Sequence, residues 1–242
     1  MLRSLYNKSP LTFAIAWIVI YCVLMSVGDA LSASLGIEKI LSLPLALSMC
    51  LILFGFLKQN GLLTAYGFRR AGASARSMLY YLPVVVMLSA NLWHGVGLQC
   101  GATETVLTVL TMLCVGFLEE LIFRGLLLRA MMKDNKTAAV IVSSVTFGIG
   151  HIINLINGSG TALLPNLLQV MYATAAGFMF VMIVLKTDSL WVCIAAHGIF
   201  NALGVFANEA PSTAAQILSA VLLTVITGSY AAYLAIRRQP RD

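Results

Sequence analysis

Glu119-Glu120-Leu121-Ile122-Phe123-Arg124 sets three ionisable side chains in the middle of an apolar run that reaches from Val106 to Met132. One charged side chain at the centre of a membrane helix costs roughly 2.5 to 3.5 kcal/mol on insertion scales, so a cluster there marks a functional site by default. At 3.6 residues per turn Glu120 and Arg124 are i,i+4 neighbours able to pair, whereas Glu119 points about 100° away around the helix. Glu120 therefore has a partner within its own helix. Glu119 has none there and must find water, a histidine or a metal on another helix.

A chain of 242 residues that is 60% hydrophobic and 10% charged fits no soluble class. It reads as an all-α, polytopic membrane helix bundle forming one integral membrane domain over 1–242. A span needs about 20 apolar residues, which gives about eight, near 11–32, 41–57, 78–98, 104–132, 137–156, 167–186, 189–207 and 214–236. The second and seventh are short for a full crossing. The first is too long for a signal-peptide core and lacks a small-residue cleavage site, so it reads as a retained span. The longest loop, Lys58 to Ser77, has room for an interfacial helix.

Charge placement is an independent check, because Lys and Arg collect on the cytoplasmic side of membrane proteins. With both termini cytoplasmic, that side holds Arg3, Lys8, Lys58, Arg69, Arg70, Arg76, Arg129, Lys133, Lys136, Lys186, Arg237, Arg238 and Arg241, or 13 of the 15 basic residues. Lys39 falls outside and Arg124 within the membrane, while Asp29, Glu38, Glu104 and Glu209 land on the outer side. The net charge of +6 thus reflects topology, and no nucleic-acid footprint is present. Tyr80, Tyr81, Trp93 and Trp191 suit interfacial belts. The five cysteines form no C-x-x-C pair and read as small core residues.

Two of the three histidines also lie deep in spans. Phe147 and His151 share a face of span five, with Asn154 close by and Gly148 and Gly150 permitting close backbone approach; His197 and Asn201 share a face of span seven. Counted from the basic ends, Glu119, His151 and His197 lie roughly 15, 22 and 16 Å deep, all in the central hydrocarbon layer. One such side chain alone would only hydrogen-bond a neighbouring helix. A second carboxylate with two histidines exceeds what such a structural role requires. His94, beside Trp93, reads as interfacial, and Asp29 as a solvated span end.

E-E-x-x-x-R, F-x-x-x-H and H-x-x-x-N on successive helices resemble the motif set of the CAAX protease and bacteriocin-processing (CPBP, or Abi) family of intramembrane endopeptidases. The motifs stand here as Glu119-Glu120 with Arg124, Phe147 with His151, and His197 with Asn201, covering a family core of about 103–207. The resemblance implies an eight-helix endopeptidase of the glutamate type, often grouped with metalloproteases, that hydrolyses a bond in a membrane-associated protein or peptide. Prenylated proteins, leader peptides and signalling peptides all fit the family. In this reading Glu119 is the general base, His151 helps it position water, and His197 and Asn201 aim N–H donors at the oxyanion, as peptide hydrolysis requires. Glu120 and Arg124 form a buried structural pair, with Phe147 in support. A metal is left open: Glu119, His151 and His197 would make the two-His, one-carboxylate set of a zinc, yet H-E-x-x-H is absent. A small-solute transporter and a non-catalytic scaffold or immunity protein are the competing classes. A bacterial plasma membrane is the expected location.

Overall fold

The computed structural model describes residues 2–74, 81–157 and 161–237, apart from the side chain of Tyr81. Arg76, Tyr80, the start of the expected third span, Gly158-Ser159-Gly160, Arg238 and Arg241 lie outside the described residues.

Helices account for the bundle, and the caps show why they start where they do. After α1 (Leu2–Lys8), α2 (Pro10–Ser34) begins with Ser9 accepting from the Thr12 amide and Pro10 in the first turn, where a missing N–H costs nothing. There follow α3 (Ser42–Gln59), α4 (Tyr81–Ser89, prolonged by a 3₁₀ turn at Ala90–Leu92) and α5 (Ala102–Glu119). A π-helical segment, Glu120–Leu127, carries α5 into the short α6 (Leu128–Met131). Asn135 caps α7 (Lys136–Gly150), which tightens into a 3₁₀ turn at His151–Leu155. Then come α8 (Leu163–Thr187), α9 (Trp191–Gly204) and α10 (Thr213–Ile236), the last capped by Ser212 on the Ala215 amide.

Six helical stretches among the described residues are long and apolar enough to cross a membrane: Pro10–Ser34, Ser42–Gln59, Ala102–Met131, Lys136–Leu155, Leu163–Thr187 and Thr213–Ile236. The chain is a polytopic helical membrane bundle. Leu82–Leu92 and Trp191–Gly204 are shorter apolar helices in the positions of the third and seventh expected spans. The 14 residues of α9 rise only about 21 Å, less than the ~30 Å hydrocarbon core. Turns, in place of the expected interfacial helix, occupy the described part of the loop after α3. That loop seals the basic end of the bundle. Gly67 accepts from the Leu190 amide, Arg69 accepts from Ser189 Oγ, and Arg69 and Arg129 both pair with Asp188, at 2.8 and 2.7 Å.

Small residues decide which helices meet. A Cβ on Gly116 of α5 would lie 2.5 Å from the Gly198 nitrogen of α9, so these backbones touch directly one residue from His197. Gly148 of α7 lies against the backbone of Thr174 in α8, while Gly150, expected to serve the same purpose, faces open space. Because Gly198 is backbone and cannot swing aside, Gly116→Ala is expected to destabilise the bundle by about 1 to 3 kcal/mol. A lower thermal midpoint of the purified protein would register it; an unchanged midpoint would show that the crossing is not tight.

Candidate active site

The glutamate motif sits on the π segment, whose eight residues from Glu120 to Leu127 are all buried. A π-helix bonds i to i+5 and winds more residues into each turn, a distortion frequent at functional sites. Glu119 ends the α-helix and Glu120 opens the π segment, and both carboxylates reach the same imidazole, that of His197. Ser143 Oγ of α7 donates to the Phe123 carbonyl at 2.9 Å, occupying an acceptor within the distorted stretch.

Glu120 and Arg124 form the expected pair, Oε1 to Nη1 at 3.0 Å, with both side chains fully buried. The guanidinium carbon lies 4.0 Å from the centre of the Phe147 ring and 5.5 Å from that of Phe180. Two aromatic faces therefore flank a cation whose Nε and Nη2 make no hydrogen bond. Phe147 does more than line the cavity: it is the surface on which Arg124 rests.

His197 lies between the two glutamates. Its Nδ1 is 2.9 Å from Glu120 Oε1 and its Nε2 is 3.4 Å from Glu119 Oε2. A neutral imidazole has one N–H and can donate to one of the two carboxylates, and the shorter contact is the one to Glu120. The ring stacks on Phe180 at 5.6 Å and meets Phe147 edge-on at 5.5 Å. The partner that Glu119 lacks within its own helix is thus a histidine on α9. A second partner went unseen in the sequence: Tyr21 of α2 donates its hydroxyl to Glu119 Oε1 at 2.6 Å.

His151 stands where α7 ends. Its Nδ1 is 3.1 Å from the Phe147 carbonyl, which can only accept, so Nδ1 holds the proton and Nε2 keeps a lone pair. Asn166 of α8 donates to the His151 carbonyl at 2.8 Å and fixes the turn. Glu119, His151, Asn201, Tyr21 and Phe147 line one cavity of about 310 Å³. His197 lies behind Glu119 and lines a separate pocket of about 50 Å³ with His151 and Asn201. The sequence had paired His197 with Asn201 on one oxyanion; in the structure the ring nitrogens face the carboxylates instead. Among the described residues no group of three His, Cys, Asp or Glu side chains is arranged to hold a metal ion.

A membrane helix bundle with a carboxylate, a histidine and an asparagine on one internal cavity defines an intramembrane site with hydrolytic chemistry within its reach. Residues 101–203 match the family described as Type II CAAX prenyl endopeptidase Rce1-like. Over 127 residues the chain is 31% identical to a Bacillus subtilis (strain 168) protein named "Putative membrane peptidase YdiL", covering 48% of this chain and 47% of that protein. The chain thus spans about half the length of the curated relative it matches. Residues 101–203 are thus similar to the CAAX protease and bacteriocin-processing family, in agreement with the resemblance carried by the three motifs. Tyr21 lies outside that segment.

Proposed function

We propose that the chain is an intramembrane endopeptidase that hydrolyses a peptide bond of a membrane-associated protein or peptide with water activated by Glu119, and that it works in a bacterial plasma membrane. The observation that carries this reading is the placing of Glu119, His151 and Asn201 on one cavity, with Tyr21 and His197 gripping the same carboxylate from behind. Glu119 takes the proton of a water in the cavity as oxygen attacks the peptide carbonyl, and later returns a proton to the departing amine. The Nε2 lone pair of His151 orients that water. His197 supports the reaction as a positioning residue, holding Glu119 against Glu120. Asn201 faces the same cavity and supplies the N–H donor for the oxyanion.

Comparing membrane peptides from cells bearing the wild-type chain with cells bearing Glu119→Gln tests the reading and finds the substrate. Peptides should stay untrimmed in the second set; identical peptide sets would remove the proposal. With a substrate in hand, Asn201→Ala should lower kcat by about 10² to 10³, the usual loss for one oxyanion donor, and leave KM nearly unchanged. An unchanged kcat, where chemistry limits turnover, would take Asn201 out of the mechanism.

A further inference from the structure

The cavity and the basic residues occupy opposite ends of the bundle. From Glu119 the lining climbs α2 through Cys22 to Asp29, reaches Lys39, and on the far side passes Asn154, Asn157 and Thr161. All of these lie toward the end where α2 and α9 finish and where α5 and α8 begin. The opposite end carries Lys8, Lys58, Arg69, Arg70, Arg129, Lys133, Lys136, Lys186 and Arg237. No described residue of that basic end lines the cavity. Below Glu119 the interior is closed by the buried Glu120–Arg124 pair with Phe180, Leu121, Leu126 and Leu190, and then by the Arg69–Asp188–Arg129 cluster.

We infer that the cavity opens on the non-cytoplasmic side of the membrane and receives its peptide from there. Basic residues mark the cytoplasmic face because they resist translocation, so the end that lacks them faces outward. The wall of the entrance fits this substrate class. Asn157 donates to Asn154, and Asn154 donates to Gln169 Oε1 at 3.1 Å, a row of neutral amides that each carry donors and acceptors, as a peptide backbone does. The ion pair of Lys39 with Asp29 at the mouth, 2.8 Å long, is internally balanced, and Asp29 also accepts from Ser42. Entry therefore selects for an extended, exported stretch of peptide and not for a strongly charged one. The peptide part of this inference rests on the peptidase reading; the direction of the opening does not.

Cys22 lines the cavity beside Tyr21, so the unaltered chain carries its own probe. A negatively charged, membrane-impermeant methanethiosulfonate reagent is applied to intact cells and, separately, to inverted membrane vesicles, and modification is read by mass spectrometry of the Cys22 peptide. Asn157→Cys places a second thiol at the mouth, and Lys136→Cys marks the basic end. Cys22 or Asn157→Cys should be modified in intact cells and protected in inverted vesicles, with Lys136→Cys showing the reverse. Modification of the cavity thiols only in inverted vesicles, failure of both to react from outside, or reaction of Lys136→Cys in intact cells would each overturn the inference. Peptide trimming that persists undiminished in Glu119→Gln would instead sink the peptidase reading and leave the labelling pattern standing.

Discussion

Glu119→Gln is expected to accumulate, fold and bind peptide like the wild type while kcat falls by about 10² to 10⁴, the range that general acid–base catalysis supplies. The substitution preserves volume, and the amide oxygen still accepts from the Tyr21 hydroxyl, so the walls of the cavity stay in place. Only the capacity to take a proton from water is lost. Because that capacity acts as charge develops in the transition state, the loss belongs in kcat and not in KM. Tyr21→Phe separates holding from reacting: it removes the 2.6 Å bond to Oε1 and leaves the carboxylate. Its kcat should fall less than that of Glu119→Gln. Single-turnover measurement on a verified substrate decides the matter. Wild-type turnover by Glu119→Gln would end the general-base role.

The course of the chain was readable from apolar length because lipid forces every crossing segment to satisfy its own backbone. Thus the helices containing the motifs lie where the hydrophobic runs put them, and Glu120 meets Arg124 as an i,i+4 pair. The π segment was not readable, since an apolar run looks alike whether it is wound as α or π. His197 illustrates a different limit. The sequence places it at the right depth and on one face with Asn201, but the direction of its ring follows from the contact of Gly116 with Gly198, which is a long-range fact. Tyr21 was missed for a related reason: a lone tyrosine in a first span looks like any aromatic side chain until α2 packs against the π segment. Its spacing from Asp29, two helical turns along the same cavity wall, was the available signal.

Removing either half of the buried pair is expected to damage the fold more than any other single change described here. Arg124→Ala would leave Glu120 inside the bundle with His197 as its remaining partner, and would withdraw the cation from between Phe147 and Phe180. Breaking a buried ion pair from one side typically costs about 3 to 5 kcal/mol, because the stranded charge keeps its desolvation penalty. Membrane accumulation and the thermal midpoint in detergent should both drop sharply for Arg124→Ala and for Glu120→Ala. Arg124→Lys keeps the charge but loses the planar group that lies over Phe147, so it should fall between these variants and wild type. The double substitution Glu120→Gln with Arg124→Met removes both charges at similar volume, and should recover much of the stability lost by Arg124→Ala alone. His197 would then lose the carboxylate that anchors its Nδ1, so recovered stability should come without recovered turnover. A double variant no more stable than Arg124→Ala would show that packing against the two phenylalanines, and not charge pairing, is what Arg124 contributes.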